Sequence, residues 1–232
     1  MKKINVYLFV SLVSFALALA FSSCQTVLYT ANQPNVPLFS DNNKQQIKAE
    51  GSYGTAGLEG RLAYSPVNHM GIIVNGSFLT NNQRKQYFRE IGIGGYGKMN
   101  KSVVYEVYGG YGYGTSSDTA GLTGFPYDFS RSSYGAFNRW FLQADAGYIS
   151  EYFEGGLVMR FSNVKFTELR DSYIPNVTNE CTFFEPTLVG KVGGPNVKFV
   201  MSMTFPTLIS GVPLFGYNTY TVSMGIQGAI SF

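Results

Sequence analysis

From residue 45 to its end the chain keeps returning to a two-residue period. Apolar and polar side chains alternate in stretches of roughly ten residues, and turn residues separate the stretches. Successive side chains of a strand point to opposite faces, so this period specifies strands with one apolar and one polar face. No long segment keeps a helical spacing of apolar residues. One such stretch is weak evidence. Their succession predicts an all-β, antiparallel transmembrane β-barrel of about 10 strands, with about 8 or about 12 as alternatives. The composition agrees: 17 Tyr, 19 Phe and 27 Gly accompany only 13% charged residues.

The expected strands cover 45–53, 56–65, 69–79, 84–97, 102–114, 137–149, 151–163, 182–192, 197–205 and 220–232. In the second, Leu58, Leu62 and Tyr64 oppose Glu59 and Arg61. In the fifth, Val103, Tyr105, Val107, Tyr111 and Tyr113 oppose Glu106. In the sixth, Trp140, Leu142 and Tyr148 oppose Arg139, Gln143 and Asp145; in the seventh, Phe153, Leu157, Met159 and Phe161 oppose Glu154 and Arg160. The faces of 84–97 do not separate around Arg89 and Glu90. Connections at 65–68, 98–101, 149–151 and 192–196 are short and fall on one side of the barrel. Those at 79–83, 115–136, 164–180 and 206–217 fall on the other, and three of them are long. Outer-membrane barrels have short periplasmic turns and long outer loops, which places both ends of the barrel domain in the periplasm.

The polar faces decide between a membrane barrel and a soluble one. Lys48, Glu50, Glu59, Arg61, Glu106, Arg139, Asp145, Glu154, Arg160, Glu185 and Lys198 share the inward parity, six acidic and five basic. On lipid each Arg or Lys at mid-depth would cost about 2–4 kcal/mol. A lipocalin-type barrel has the reverse arrangement, with an apolar interior. An ion-selective channel would show an excess of one sign. The balance therefore favours a lumen closed by charged side chains, with Glu106, Arg139, Asp145, Glu154 and Arg160 on neighbouring strands forming one paired network.

The start of the chain, "MKKINVYLFVSLVSFALALAFSSC", has Lys2 and Lys3, an apolar run from Ile4 to Ala20 and small residues before Cys24. That reads as a secretory signal peptide, its apolar run too short and its flanks wrong for a membrane-spanning helix. Without it 15 basic residues face 14 acidic ones, a formal charge of +1, which gives no argument for nucleic acid. Cys181 is then alone, so no internal disulfide is expected.

"FSSC" resembles a bacterial lipobox, with Phe21 where leucine is more usual. The closing strand "YTVSMGIQGAISF" resembles the last strand of bacterial outer-membrane proteins, which ends on phenylalanine. With "YTANQPNVPLF" and the Tyr/Gly-rich strands, the chain is similar to small outer-membrane barrel lipoproteins of Bacteroidota. The resemblance implies that residues 1–23 are removed, that Cys24 carries lipid, and that 24–43 is a tether partly ordered by "NVPLF" ahead of a barrel domain over 44–232. It implies that Phe232 is read by the barrel assembly machinery. "QTVLYTANQ" has no acidic run resembling a Bacteroidota surface-export signal, so the anchor is expected on the periplasmic side. Expected partners are outer-membrane lipids, the assembly machinery and other outer-membrane proteins, reached through outer loops such as "GFPYDF", "SYIPNV" and "GVPLFGY".

"GIGGYG" (Gly92, Gly94, Gly97) fits a dinucleotide-binding pattern only formally, because a turn and another strand follow it where a helix is required. Glycines there let large tyrosines pack. His69, the single histidine, cannot build a multi-histidine metal site and falls on the periplasmic side. The expectation is therefore a structural or accessory subunit of an outer-membrane complex, not an enzyme, without cofactor or metal. The alternatives are a narrow pore or small-solute barrel, and a barrel enzyme.

Overall fold

The computed structural model describes residues 26–39, 45–122, 129–172 and 174–232, and no helix occurs among them. The strands are β1 (Val27–Tyr29), β2 (Gln46–Gly54), β3 (Gly57–Val67), β4 (Met70–Thr80), β5 (Arg84–Lys98), β6 (Val103–Leu122) and β7 (Phe129–Ile149). They continue with β8 (Phe153–Asp171), β9 (Ile174–Gly193), β10 (Val197–Thr204), β11 (Thr207–Ser210), β12 (Gly216–Tyr217) and β13 (Thr221–Ser231). Strands β2 to β10 pair in sequence order, β10 pairs with β13, and β13 returns to β2, all antiparallel. The result is a closed barrel of ten strands. Closure at β13–β2 runs from Ser223↔Gly54 to Ser231↔Gln46, and the Phe232 N–H donates to the Gln45 carbonyl at 3.0 Å.

Alternation sorts the two faces as the pattern requires. Leu58, Leu62, Val107, Leu142, Leu157, Phe199, Met224 and Ile226 face outward and are exposed, and Trp140 is 63% exposed beside Tyr111, ring centroids 4.6 Å apart. All eleven inward-parity ionic residues are buried. On β5 the faces also separate, with Tyr87, Ile91 and Ile93 outward and Phe88, Glu90 and Tyr96 inward. Each of those faces mixes charge with apolar bulk. Arg89 projects outward, its guanidinium 6.0 Å from the Tyr113 ring. That mixture is why the period alone did not separate them.

The wall is uneven. Strands β6 to β9 run 19 to 21 residues, against 8 to 11 for β2, β3, β4, β10 and β13. The expected loops 115–136 and 164–180 are therefore mostly strand. The ladder continues through Asp118↔Ser133 and Lys165↔Glu180. Above an apolar belt both faces of a strand can be polar, so alternation fades while backbone pairing persists. Residues 123–128, most of "GFPYDF", lie outside the described residues. In the third connection, β11 pairs with β9 and β12 pairs in parallel with β1.

The larger departure is at the front. Residues 26–39, within the expected 24–43 tether, lie inside the barrel. They run through its lumen, and 13 of the 14 are buried. Thr26 lies at the long-strand end, its Oγ1 3.1 Å from Ser133 Oγ. Phe39 lies toward the short-turn end, packed on Tyr96 with centroids 5.0 Å apart. Thr26, the first described residue of the segment, thus lies at the end of the barrel away from the short turns. Cys24 and residues 1–23 lie outside the described residues.

Candidate functional site: the occupied lumen

The lumen segment reads "TVLYTANQPNVPLF". Only Val27–Tyr29 joins a strand partner. Pro34 and Pro37 lack the N–H that a ladder or helix needs, and from Thr30 onward no regular structure forms. A buried irregular backbone must find partners elsewhere, and the wall supplies them. Gln86 Nε2 donates to Thr30 O (3.1 Å), Gln143 Nε2 to Asn35 O (2.9 Å) and Lys191 Nζ to Val36 O (2.6 Å). Lys48 Nζ donates to Pro37 O (2.7 Å) and Leu38 O (3.0 Å). Glu59 accepts the Gln33 N–H at 2.9 Å, and Asp118 the Val27 N–H at 2.6 Å. Glu106 accepts two successive N–H groups, Leu38 at 3.1 Å and Phe39 at 2.8 Å. Leu38 has φ 51°, a left-handed conformation that a leucine rarely adopts. Its cost of order 1–3 kcal/mol is offset by a carboxylate placed where both N–H groups converge.

The five residues expected to form one network are divided among three settings. Arg139 and Arg160 meet, and what joins them is Glu90: Arg139 pairs with one of its oxygens and Arg160 with the other at 3.1 Å. Asn75 Nδ2 adds a third bond to Glu90. Each guanidinium also lies over a ring, Arg139 over Phe88 and Arg160 over Phe141, both 4.3 Å from the centroid. Glu154 pairs instead with Lys198 (3.3 Å) and Lys191 (3.6 Å). Asp145 joins the Arg160 set through Gln143, which donates to it from Nε2 at 2.7 Å and accepts from Arg160 Nε at 2.9 Å, and Glu106 serves the lumen segment as described. Three of the remaining expected inward ions form a third set, in which Arg61 pairs with Glu50 and with Glu59 at 3.1 Å. Glu185 accepts the Tyr29 hydroxyl at 2.5 Å and that of Ser162 at 2.7 Å.

Two fully buried members were missing from the inward set. Glu90 belongs to the strand whose faces did not separate. Lys191 shares the parity of Glu185 on β9, so that signal was present in the sequence. Apolar layers alternate with the ionic ones. Leu28 and Tyr29 pack with Phe137, Phe166, Phe183 and Phe215 near the long-strand end, and Val36 and Leu38 with Val104, Val158, Val189 and Val200 below. A Cβ on Gly147 would come within 2.6 Å of Leu38 Cδ2, so a glycine in the wall makes the seat for that side chain. Gly94 of "GIGGYG" likewise leaves room for Tyr108, whose ring a Cβ would meet at 2.6 Å.

His69 stands in the β3–β4 turn at φ 64°, its Nδ1 3.1 Å from Tyr96 O, at the short-turn end. Phe232 is 67% exposed at that same end. Cys181 is buried and carries no disulfide.

The fold is that of outer-membrane β-barrels. The chain is similar to the outer membrane protease OmpT from Escherichia coli, with a TM-score of 0.53 at 12% identity over 82% of this chain and 94% of that one. It also matches the translocator domain of the autotransporter NalP from Neisseria meningitidis, with a TM-score of 0.39 at 10% identity over 82% of this chain and 87% of that one. No protein-family model matches the chain. No curated protein matches it. The expectation that the chain is not an enzyme is corrected at this point. A barrel of this architecture is a protease, so the fold is one that houses catalysis, and a lone histidine is no ground for excluding it.

Proposed function

We propose that the protein is an outer-membrane barrel kept closed by its own N-terminal segment, and that it serves as a structural or accessory subunit whose working surface is the tall outer extension of β6 to β9. The observation that carries this reading is the occupied lumen. Residues 26–39 run from one end to the other and are bonded to wall side chains at every level described above. The balanced charge inside is explained as the set of partners that an irregular buried backbone requires. A narrow pore needs the passage that this segment fills. The short turns lie toward the periplasm and the long strands outward, as in barrels of this class. Val212 (77% exposed) and Leu214 sit in the outer connection between β10 and β13, and exposed apolar groups of this kind suit a protein contact.

Planar-bilayer recording tests the closure. The purified full chain should show no steady conductance, and a variant lacking residues 26–39 that still folds should open a passage. A large, stable, ion-selective conductance from the full chain would overturn the reading in favour of a pore.

A further inference from the structure

We infer that the chain's N-terminal end leaves the barrel at its outer face, so that lipid on Cys24 would hold the protein from the outside of the membrane and not from the periplasmic leaflet. The inference rests on the outer-membrane reading above, which orients the barrel. Its own support is the position of Thr26. That residue is fixed by Ser133 Oγ (3.1 Å) and by the Gly216 N–H, which donates to Thr26 O at 3.2 Å. The next residue donates its N–H to Asp118 at 2.6 Å. Asp118 and Ser133 face each other in the β6–β7 ladder, far above its last pair, Val103↔Tyr148, at the short-turn end.

Distances decide the matter. Ser133 and Tyr148 are 15 residues apart on one strand, about 50 Å along it. At a tilt of about 40° that is close to 40 Å along the barrel axis. Cys24 is two links from Thr26, so the two Cα atoms lie within about 7 Å. A link of that length cannot bring an acyl group to the periplasmic leaflet while the segment is seated. The absence of an acidic run after Cys24 pointed to the periplasmic side, but a barrel that closes around its own N-terminal segment supplies a route outward without that signal. The segment descends to Phe39 near the short-turn end, and β2 begins at Gln46 at that same end, so both ends of the route belong to this one chain.

Three epitope insertions test it, each in the full chain: between Gln25 and Thr26, in the Asn81–Asn82 turn at the long-strand end, and in the Met99–Lys101 turn at the short-turn end. Antibody should reach the first two on intact cells with no further gain on permeabilisation, and the third only after permeabilisation. If the Asn81 tag is displayed while the Gln25 tag needs permeabilisation, the inference is wrong and the barrel's orientation stands. If the Asn81 tag also needs permeabilisation, the orientation itself fails and the inference falls with it. A fatty-acid analogue should label the wild type and not Cys24→Ala. An unlabelled wild type would overturn the lipid half and leave an N-terminus displayed at the surface.

Discussion

Glu90 sits between two guanidiniums that are 1% and 0% exposed, with an asparagine on one of its oxygens. Removing one member of a buried ionic set is costlier than the set is stabilising, because the partner is left charged and unpaired. Glu90→Ala would strand both Arg139 and Arg160, whereas Arg160→Ala leaves Glu90 still paired with Arg139. The first change should therefore destabilise the barrel by about 3–5 kcal/mol and the second by less. Lys165→Ala removes half of an exposed 3.8 Å pair with Glu180 and should cost about 0–1 kcal/mol. The temperature at which the folded band converts to the unfolded band on a semi-native gel ranks the three. Equal midpoints for Glu90→Ala and Lys165→Ala would remove Glu90 from the centre of the network.

At the level of elements, the lumen segment and the wall depend on each other. The segment has no ladder beyond β1 and takes its bonds from β2, β3, β5, β6, β7 and β9. Those strands, in turn, carry donors and acceptors placed to bond the segment, and its withdrawal would also expose Leu28, Tyr29, Val36, Leu38 and Phe39 to water. The segment should thus stay seated as long as the barrel is folded. Thr26 Oγ1 and Ser133 Oγ lie 3.1 Å apart, close enough for paired cysteines to bond. In a Cys181→Ser background, Thr26→Cys with Ser133→Cys should form a disulfide in nearly all molecules, seen as a reductant-sensitive mobility shift. Ser133→Cys alone should not shift. A double variant that stays reduced under oxidant would show that the segment spends its time outside the lumen. The β5 strand carries the general lesson about legibility. Its faces became readable only once Phe88 and Tyr96 were seen to line the lumen beside Glu90, since inward aromatics erase the apolar/polar contrast on which a period depends.

For the whole molecule, the unequal wall matters most. Strands of about 10 residues suffice to cross an apolar layer, and β2 to β4 stop there. Strands β6 to β9 continue for about as far again and carry an outer surface that barrel closure does not need. If that surface is where other outer-membrane proteins bind, shortening the β6–β7 hairpin above the Ser116–Gly135 pair should leave a heat-modifiable barrel and remove a partner that co-purifies in mild detergent. An unchanged set of co-purifying proteins would remove the support for an accessory role.

The amino-acid sequence by itself determined the wall. Ten strands, their outward apolar faces, the burial of Lys48, Glu50, Arg61, Arg139 and Arg160, and the short-turn side all follow from a period that each strand carries locally. What fills the barrel was decided only by the tertiary structure. "TVLYTANQPNVPLF" has no period, and its place depends on bonds such as Glu106 to the Leu38 and Phe39 N–H groups, 68 and 67 positions away in the chain. The same is true of Glu90, which is a hub because β5 comes level with β7 and β8 across the lumen, and of the end at which Thr26 emerges. An irregular segment goes where its backbone groups can be satisfied, and the groups that satisfy this one are brought together only when the barrel closes.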